Sequence, residues 1–266
     1  SLTRKLEAVL TIGLSSKNVK AAFFMFKGGS ELLTYATWNE KLPDFNHDNS
    51  TKGALDVVEW AYGTYGEDLV YACSFGIEGS VLVDLVSQVK PDAQIVFLDT
   101  NLHFQETYDV IEAAKKRYPS LRIKLKTPAL TLEEQAKKHS DALWNVDSNL
   151  CCTIRKVIPL EEELKGVKAW LSGLRKEQSV ARSNTEFVNR DERFKSIKIC
   201  PLIHWTWKDI WRYAHKHDLP YNKLHDNGYP SIGCAPCTQA AINADDLRSG
   251  RWSGTGKLEC GLHENK

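Results

Sequence analysis

From residue 51 the chain alternates two hydrophobic periods. Ala54, Leu55, Val58, Trp60 and Ala61 recur at helical spacing behind a capping hydroxyl on Thr51, which predicts a helix over 51–62. Residues 69–73 form a short continuous apolar run, as expected of a buried strand, and strands are also predicted over 94–98 and 121–125. Residues 74–80 read as a loop, with helices predicted over 81–89 and 104–117. Thr131 opens another helix, whose first turn carries Glu133 and Glu134, where carboxylates complement the helix dipole. A helix is expected to follow Cys152 as far as residue 164, then a strand over 169–172 and a helix capped by Thr206. This alternation predicts an α/β fold: an open, mostly parallel sheet with helices on both faces. Ligands of such sheets sit at the carboxyl ends of the strands.

Both ends of the chain break the pattern. Residues 1–32 hold apolar patches without a sustained period, and are expected to be an extension that is dispensable or foreign to the native protein. Codons for Lys27-Gly28-Gly29-Ser30 can resemble a ribosome-binding site, and Leu32 can be a TTG start. The competing reading is an N-terminal helix docked on the core. Residues 243–266 are polar and Gly-rich, and are expected to be a flexible tail carrying Cys260. The main domain is then 33–242.

Hydrophobic residues make up 42% and charged residues 26%, ordinary proportions for a globular protein. Lys+Arg number 35 against 34 Asp+Glu. The basic excess of a nucleic-acid binder is missing, so an anion site has to come from local clustering. No apolar run is long enough to span a bilayer. Of seven cysteines, Cys151 and Cys152 are adjacent, Cys234 and Cys237 form a C-x-x-C, and Cys260 stands near the end. No secretory signal is legible. A cytoplasmic location is therefore expected, where cysteines serve metal binding or thiol chemistry rather than a disulfide framework.

The loop Ser74, Phe75, Gly76, Ile77, Glu78, Gly79, Ser80 joins a strand to a helix, and its glycines let backbone amides approach an anion. It lacks the Gly-Lys-Ser/Thr ending of a Walker loop, and a plain turn explains its placement equally well. Asp99 and Thr100 end the next strand, suited to a ribose hydroxyl, a metal or a helix cap. The two cysteine pairs suit a structural zinc or a 4Fe–4S cluster, while Cys73 and Cys200 read as core residues. Lys156, Arg175, Lys176, Arg248 and Arg251 flank these elements, and arginine matches sulfate or phosphate in bidentate fashion. Cys260 has no core to fill on a hydrophilic tail. Basic neighbours, with His263 a candidate, would favour its thiolate.

Taken together, Tyr71-Ala-Cys-Ser-Phe-Gly-Ile-Glu-Gly-Ser80, Phe97-Leu-Asp-Thr100, Cys151-Cys152 with Arg155-Lys156, Ser172-Gly-Leu-Arg175, Gly233-Cys-Ala-Pro-Cys-Thr238, Leu247-Arg-Ser-Gly-Arg251 and Glu259-Cys-Gly-Leu-His263 resemble the assimilatory adenylyl-sulfate/phosphoadenylyl-sulfate reductase family, in its Bacillus-type branch. The resemblance spans about residues 33–264. It implies an adenine nucleotide α-hydrolase-like fold and one 4Fe–4S cluster on Cys151, Cys152, Cys234 and Cys237. It implies that Cys260 attacks the sulfate sulfur and expels AMP, and that a thioredoxin-type dithiol releases sulfite from the resulting S-sulfonate. Catalytic roles fall to Cys260, His263 and Lys156. Substrate contacts fall to Ser74, Phe75, Gly76, Glu78, Gly79, Ser80, Asp99, Thr100, Arg175, Arg248 and Arg251. A homo-oligomer is also implied. Asn101 stands where the family carries glycine, a residue type that tolerates positive φ, and Thr153 replaces a bulkier or acidic residue. Two rival readings are an ATP-dependent relative, which would need a Ser-Gly-Gly-x-Asp-Ser loop, and a non-catalytic zinc module, which leaves Cys260 idle.

Overall fold

The computed structural model describes residues 32–39, 42–243, 246–253, 255–257 and 259–263. The expected N-terminal extension lies outside the described residues except for Leu32.

A six-stranded sheet forms the centre, in the order β3-β2-β1-β4-β6-β5. Its strands are β1 (Leu69–Ala72), β2 (Gln94–Leu98), β3 (Arg122–Lys126), β4 (Ala169–Leu171), β5 (Val188–Asp191) and β6 (Ser196–Ile199). All neighbours pair in parallel except the β5–β6 hairpin, where Val188 faces Ile199. The expected open, mostly parallel sheet is what the chain builds. The hairpin escaped the periodicity because β5 is Val-Asn-Arg-Asp and β6 carries Lys198. Asp191 and Lys198 are buried as an ion pair at 3.3 Å, with Trp170 Nε1 donating to Asp191 at 3.1 Å.

Period-two alternation divides the strands between two layers. Leu69, Tyr71, Ile95, Phe97, Ala169 and Leu171 enter the larger core, which α1 (Thr51–Tyr65), α2 (Ile77–Val89), α3 (Gln105–Arg117) and α8 (Trp207–Lys216) help to fill. Val70, Val96 and Trp170 face the other way, onto Leu160 and Leu164 of α7 (Ile158–Leu164). Between β3 and β4 lie also α4 (Leu132–Lys138), α5 (Leu143–Val146) and α6 (Ser148–Cys152).

Caps set several boundaries. Ser50, one residue before the expected Thr51, accepts from Gly53 N. Thr131 and Thr206 form reciprocal capping boxes with Glu134 and Asp209. Two helices start earlier than their apolar periodicity predicts. α2 begins at Ile77, inside the expected loop, and α6 begins at Ser148, so that Cys151 and Cys152 are helical. A π-turn over Thr153–Val157 joins α6 to α7, and the Thr153 hydroxyl donates to Asn149 O at 2.9 Å. Such an inserted residue turns the side chains that follow, here Arg155 and Lys156.

The tail carrying Cys260 is docked rather than projecting. Gln239 N donates to Gly250 O at 2.9 Å, Trp252 and Glu259 are buried, and Leu262 packs on the second layer. Its weak periodicity reflects a coil held by single residues and ion pairs instead of one repeating apolar face. Among the described residues, no helix is long and apolar enough to cross a membrane.

Candidate active site

β2 and β3 lie on one side of β1 and β4 on the other, so the sheet changes direction between β1 and β4. A crevice opens outside the strands at such a point. Here it is a cavity of about 180 Å³, lined by Ser74, Gly76, Glu78 and Gly79 after β1 and by Ser172, Gly173 and Arg175 after β4. The turn out of β1 is made by Phe75, at φ 53°, with its ring buried against Phe97. Gly76 caps α2 without a side-chain hydrogen bond, leaving the helix amides and their partial positive charge at the cavity. A Cβ at Gly79 would stand 2.9 Å from Cys73 Sγ, so the helix can pass this close to β1 only with glycine there.

Among the described residues, five cationic side chains, Lys156, Arg175, Arg182, Arg248 and Arg251, line the cavity against one carboxylate, Glu78. Cys260 and His263 line it too. Three buried polar atoms on its wall, His225 Nε2, Trp252 Nε1 and His263 Nδ1, have no hydrogen-bond partner in the structure. A concave, cation-rich wall with unsatisfied polar atoms is built for a polar anion.

The cations do different work. Arg175 is committed within the protein: Nε and Nη2 donate to Glu78 Oε1 at 3.0 and 2.8 Å, and Nη1 donates to Glu177 Oε2 at 2.6 Å. Burial opposes ionisation of Glu78, but Arg175 outweighs it and holds its pKa below the ordinary value. Arg182 and Arg248 meet Glu259 at 2.8 and 3.4 Å. Arg251 crosses the face of Gly233, where a Cβ would lie 2.3 Å from Nη2. Burial opposes the charge of Lys156, yet its electrostatic interactions with Cys234, Cys260 and Cys152 outweigh it and raise its pKa. His263 stacks on Trp170 at 10°, and burial, then Arg182, Lys198, Arg248 and Lys156, drive its pKa well below the usual value. It is a neutral imidazole here, so the cations that act on Cys260 are Lys156 and Arg248.

Cys151, Cys152, Cys234 and Cys237 line one small second cavity, and Lys156 and Trp252 belong to the walls of both. The seven cysteines are free thiols. Burial, then its three cysteine neighbours, push the Cys151 pKa up to about 12. Burial also opposes the Cys234 thiolate, but Lys156, the Thr100 hydroxyl and Arg251 outweigh it and lower that pKa. Thr100 Oγ1 lies 3.2 Å from Cys234 Sγ, and Lys257 Nζ lies 3.3 Å from Cys152 Sγ. Clustered soft donors with compensating cations fit a metal group that binds thiolates.

Four residues expected at the substrate are not on the cavity wall: Phe75, Ser80, Asp99 and Thr100. Phe75 and Ser80 are buried, and Asp99 accepts from Tyr108 Oη and Asn101 N at 2.7 and 2.9 Å. Asn101 takes φ 57°, so it does preserve the turn, and its Oδ1 accepts from Arg155. Residues 99–101 thus brace the cysteine site. Arg182, Gln178, Lys257 and Glu259 were missed by sequence reasoning. Only Glu259 carried a signal, its place beside Cys260.

Fold and site together define an α/β protein of the adenine nucleotide α-hydrolase-like class. The Phosphoadenosine phosphosulfate reductase domain matches residues 68–240, and the chain belongs to that family. It is 66% identical over 233 residues to the Adenosine 5'-phosphosulfate reductase of Geobacillus thermodenitrificans (strain NG80-2), covering 87% of this chain and 99% of that protein. It is 64% identical over 233 residues to Adenosine 5'-phosphosulfate reductase 1 of Bacillus subtilis (strain 168), covering 88% and 100%. The crystal structure of phosphoadenylyl-sulfate (PAPS) reductase from Candida auris, a phosphate complex, aligns at TM-score 0.61 with 35% identity, covering 70% of this chain and 90% of that one. Candida glabrata FMN adenylyltransferase, at TM-score 0.52 and 14% identity, shares the fold alone.

Proposed function

We propose that this protein reduces adenylyl sulfate to sulfite and AMP, with Cys260 as nucleophile and a thioredoxin-type dithiol as reductant. The observation that carries the reading is that Cys260, far from the sheet in sequence, lines the same cation-walled cavity as the β1 loop and Lys156. The names of its relatives, at 64–66% identity, support adenylyl sulfate as substrate.

The loop at Ser74, Gly76 and Gly79 and the amino end of α2 offer donors to the phosphosulfate. Lys156, Arg248 and Arg251 neutralise the sulfate and the phosphate that departs. The Cys260 thiolate attacks sulfur, forming an S–S bond. The S–O bond to phosphate breaks and AMP leaves with the electron pair. A partner thiolate then attacks Cys260 Sγ and expels sulfite, and the partner's second thiol releases Cys260, leaving the partner as a disulfide. The partner dithiol supplies both electrons, and a reducing cytoplasm keeps it and the thiols of this chain reduced.

Cys151, Cys152, Cys234 and Cys237 would hold a 4Fe–4S cluster. Four thiols around one small cavity, with Lys156 and Lys257 to offset their charge, suit such a group. Such a group would supply a fixed charge beside Lys156, which lines both cavities.

The test is a side-by-side assay of adenylyl sulfate and its 3′-phosphorylated form with thioredoxin, plus mass spectrometry of the Cys260 peptide after one turnover without reductant. Sulfite release and an added SO3 group on that peptide are expected. An unmodified Cys260 would overturn the mechanism.

A further inference from the structure

Glu259 immediately precedes the nucleophile, yet lies outside the substrate cavity's wall. It is buried, at 7% exposure, and both its oxygens are taken. Arg182 donates from Nε to Oε1 at 2.9 Å and from Nη2 to Oε2 at 2.8 Å, a two-pronged pair that fixes orientation as well as distance. Ser179 Oγ donates to Oε1 at 3.3 Å, and Arg248 approaches the same oxygen at 3.4 Å.

Arg182 does not stand alone. Its Nη1 donates to Gln178 Oε1, and Gln178 Nε2 donates at 3.0 Å to Oε1 of Glu78, in the first turn of α2. A continuous series, Glu78–Gln178–Arg182–Glu259, therefore joins the phosphate-facing loop after β1 to the tail residue beside Cys260. On the other side of Cys260, His263 N donates to Cys260 O at 3.2 Å and Leu262 packs on the second core layer. The nucleophile is pinned from both flanks.

We propose that Glu259 is a positioning residue: its carboxylate latches the nucleophile segment onto Arg182 and, through Gln178, sets it in register with the nucleotide loop. The proposal rests on the reading of Cys260 as nucleophile. Stability alone is a poor reason for this pair, because a buried ion pair recovers little beyond its own desolvation cost. Adjacent α-carbons lie only about 3.8 Å apart, so fixing Glu259 constrains where Cys260 Sγ can reach. The carboxylate also separates two arginines that would otherwise repel. The Arg248 pKa is already lowered to about 10, chiefly by burial and then by Arg182, with Glu259 opposing the shift.

The experiment uses the full-length, iron-loaded protein and compares E259Q, R182Q and the double variant. In E259Q, alkylation of Cys260 by iodoacetamide is expected to accelerate about tenfold or more, the change from a mostly docked to a mostly free segment. Single-turnover S-sulfonate formation is expected to slow by a similar factor, with the KM for adenylyl sulfate changed less than about threefold. The double variant is expected to be no worse than the more impaired single variant, because both remove one interaction. E259D should recover part of the alkylation protection, and it carries the same readouts if E259Q does not fold. Unchanged Cys260 alkylation in a folded variant, or additive losses in the double variant, would overturn the latch. Alkylation needs no sulfonucleotide, so a latch without turnover would fail the functional reading alone, and turnover without a latch would fail only this one.

Discussion

The ammonium of Lys257 lies 3.3 Å from Sγ of Cys152, although 105 residues separate the two in sequence. The same nitrogen donates to Ser148 O at 2.9 Å and stands 5.2 Å from the centre of the Trp252 ring. The tail is thus tied to the cysteine site by a cation three residues before Cys260. Lys257→Met is expected to keep its iron stoichiometry but to lose iron faster to a chelator. The lost charge-assisted bond is worth about 1.5–3 kcal/mol. A chelation time course checks this, and identical rates would show that Lys257 is only a neighbour.

Cys260→Ser removes the proposed nucleophile without touching the second cavity, whose wall does not include it. Sulfite release is expected to vanish while iron content and nucleotide binding stay at wild-type levels. Iron analysis and calorimetry with AMP measure the two retained properties. Loss of iron would break the proposed separation of roles.

Cys237→Ser acts on the other site. Cys237 lines the second cavity with Cys151, Cys152 and Cys234. The variant is expected to lose its visible absorption and most activity. Full activity in an iron-free Cys237→Ser protein would refute the four-cysteine assignment.

Gly233 and Arg251 should behave as a pair. A Cβ at Gly233 would meet the Arg251 guanidinium at 2.3, 2.7 and 3.0 Å. Gly233→Ala is therefore expected to weaken substrate engagement as Arg251→Ala does, by about 1.5–3 kcal/mol for a lost charge-assisted contact. The double variant should be no worse than either single one. Arg248→Ala is expected to cost a similar amount. Wild-type kcat/KM in Gly233→Ala would show that Arg251 is idle.

Glu78 supplies a pH-dependent test. Arg175 holds its folded pKa below the unfolded value against the opposing effect of burial. A depressed carboxylate contributes stability above its unfolded pKa of about 4.3, and that contribution is lost as pH falls through the folded pKa. The stability gap between the wild type and Glu78→Gln should be constant above about pH 5.5 and should shrink below about pH 4. Breaking a buried pair typically costs about 3–5 kcal/mol near neutral pH. Urea unfolding across this range measures it, and a gap that persists undiminished at low pH would exclude the ion pair as its source.

Much of the sheet was legible because β1, β2 and β4 bury both faces and so read as apolar runs. The β5–β6 hairpin was not, since Asp191 and Lys198 satisfy each other inside the fold and look like surface residues in a one-dimensional pattern. Helix starts shifted where glycine and cysteine, rather than an apolar stripe, occupy the first turn, as at Ile77 and Ser148. The positive φ of Phe75 had no sequence signal, whereas that of Asn101 did, because Asn tolerates the conformation.

By itself the sequence determined the inventory: two cysteine pairs, a lone cysteine beside Glu259, a strand–loop–helix able to face an anion, and a surplus of arginine near them. Those are local properties of residue type and spacing. Only the tertiary structure decided the partners. It committed Arg175 to Glu78, brought in Arg182 from an unmarked turn, left His263 a neutral ring on Trp170, and set Lys156 between the thiols and Cys260. The reason is physical: a guanidinium can serve a substrate or a carboxylate, and the choice depends on which groups chain closure at the β1–β4 crevice brings within about 3 Å.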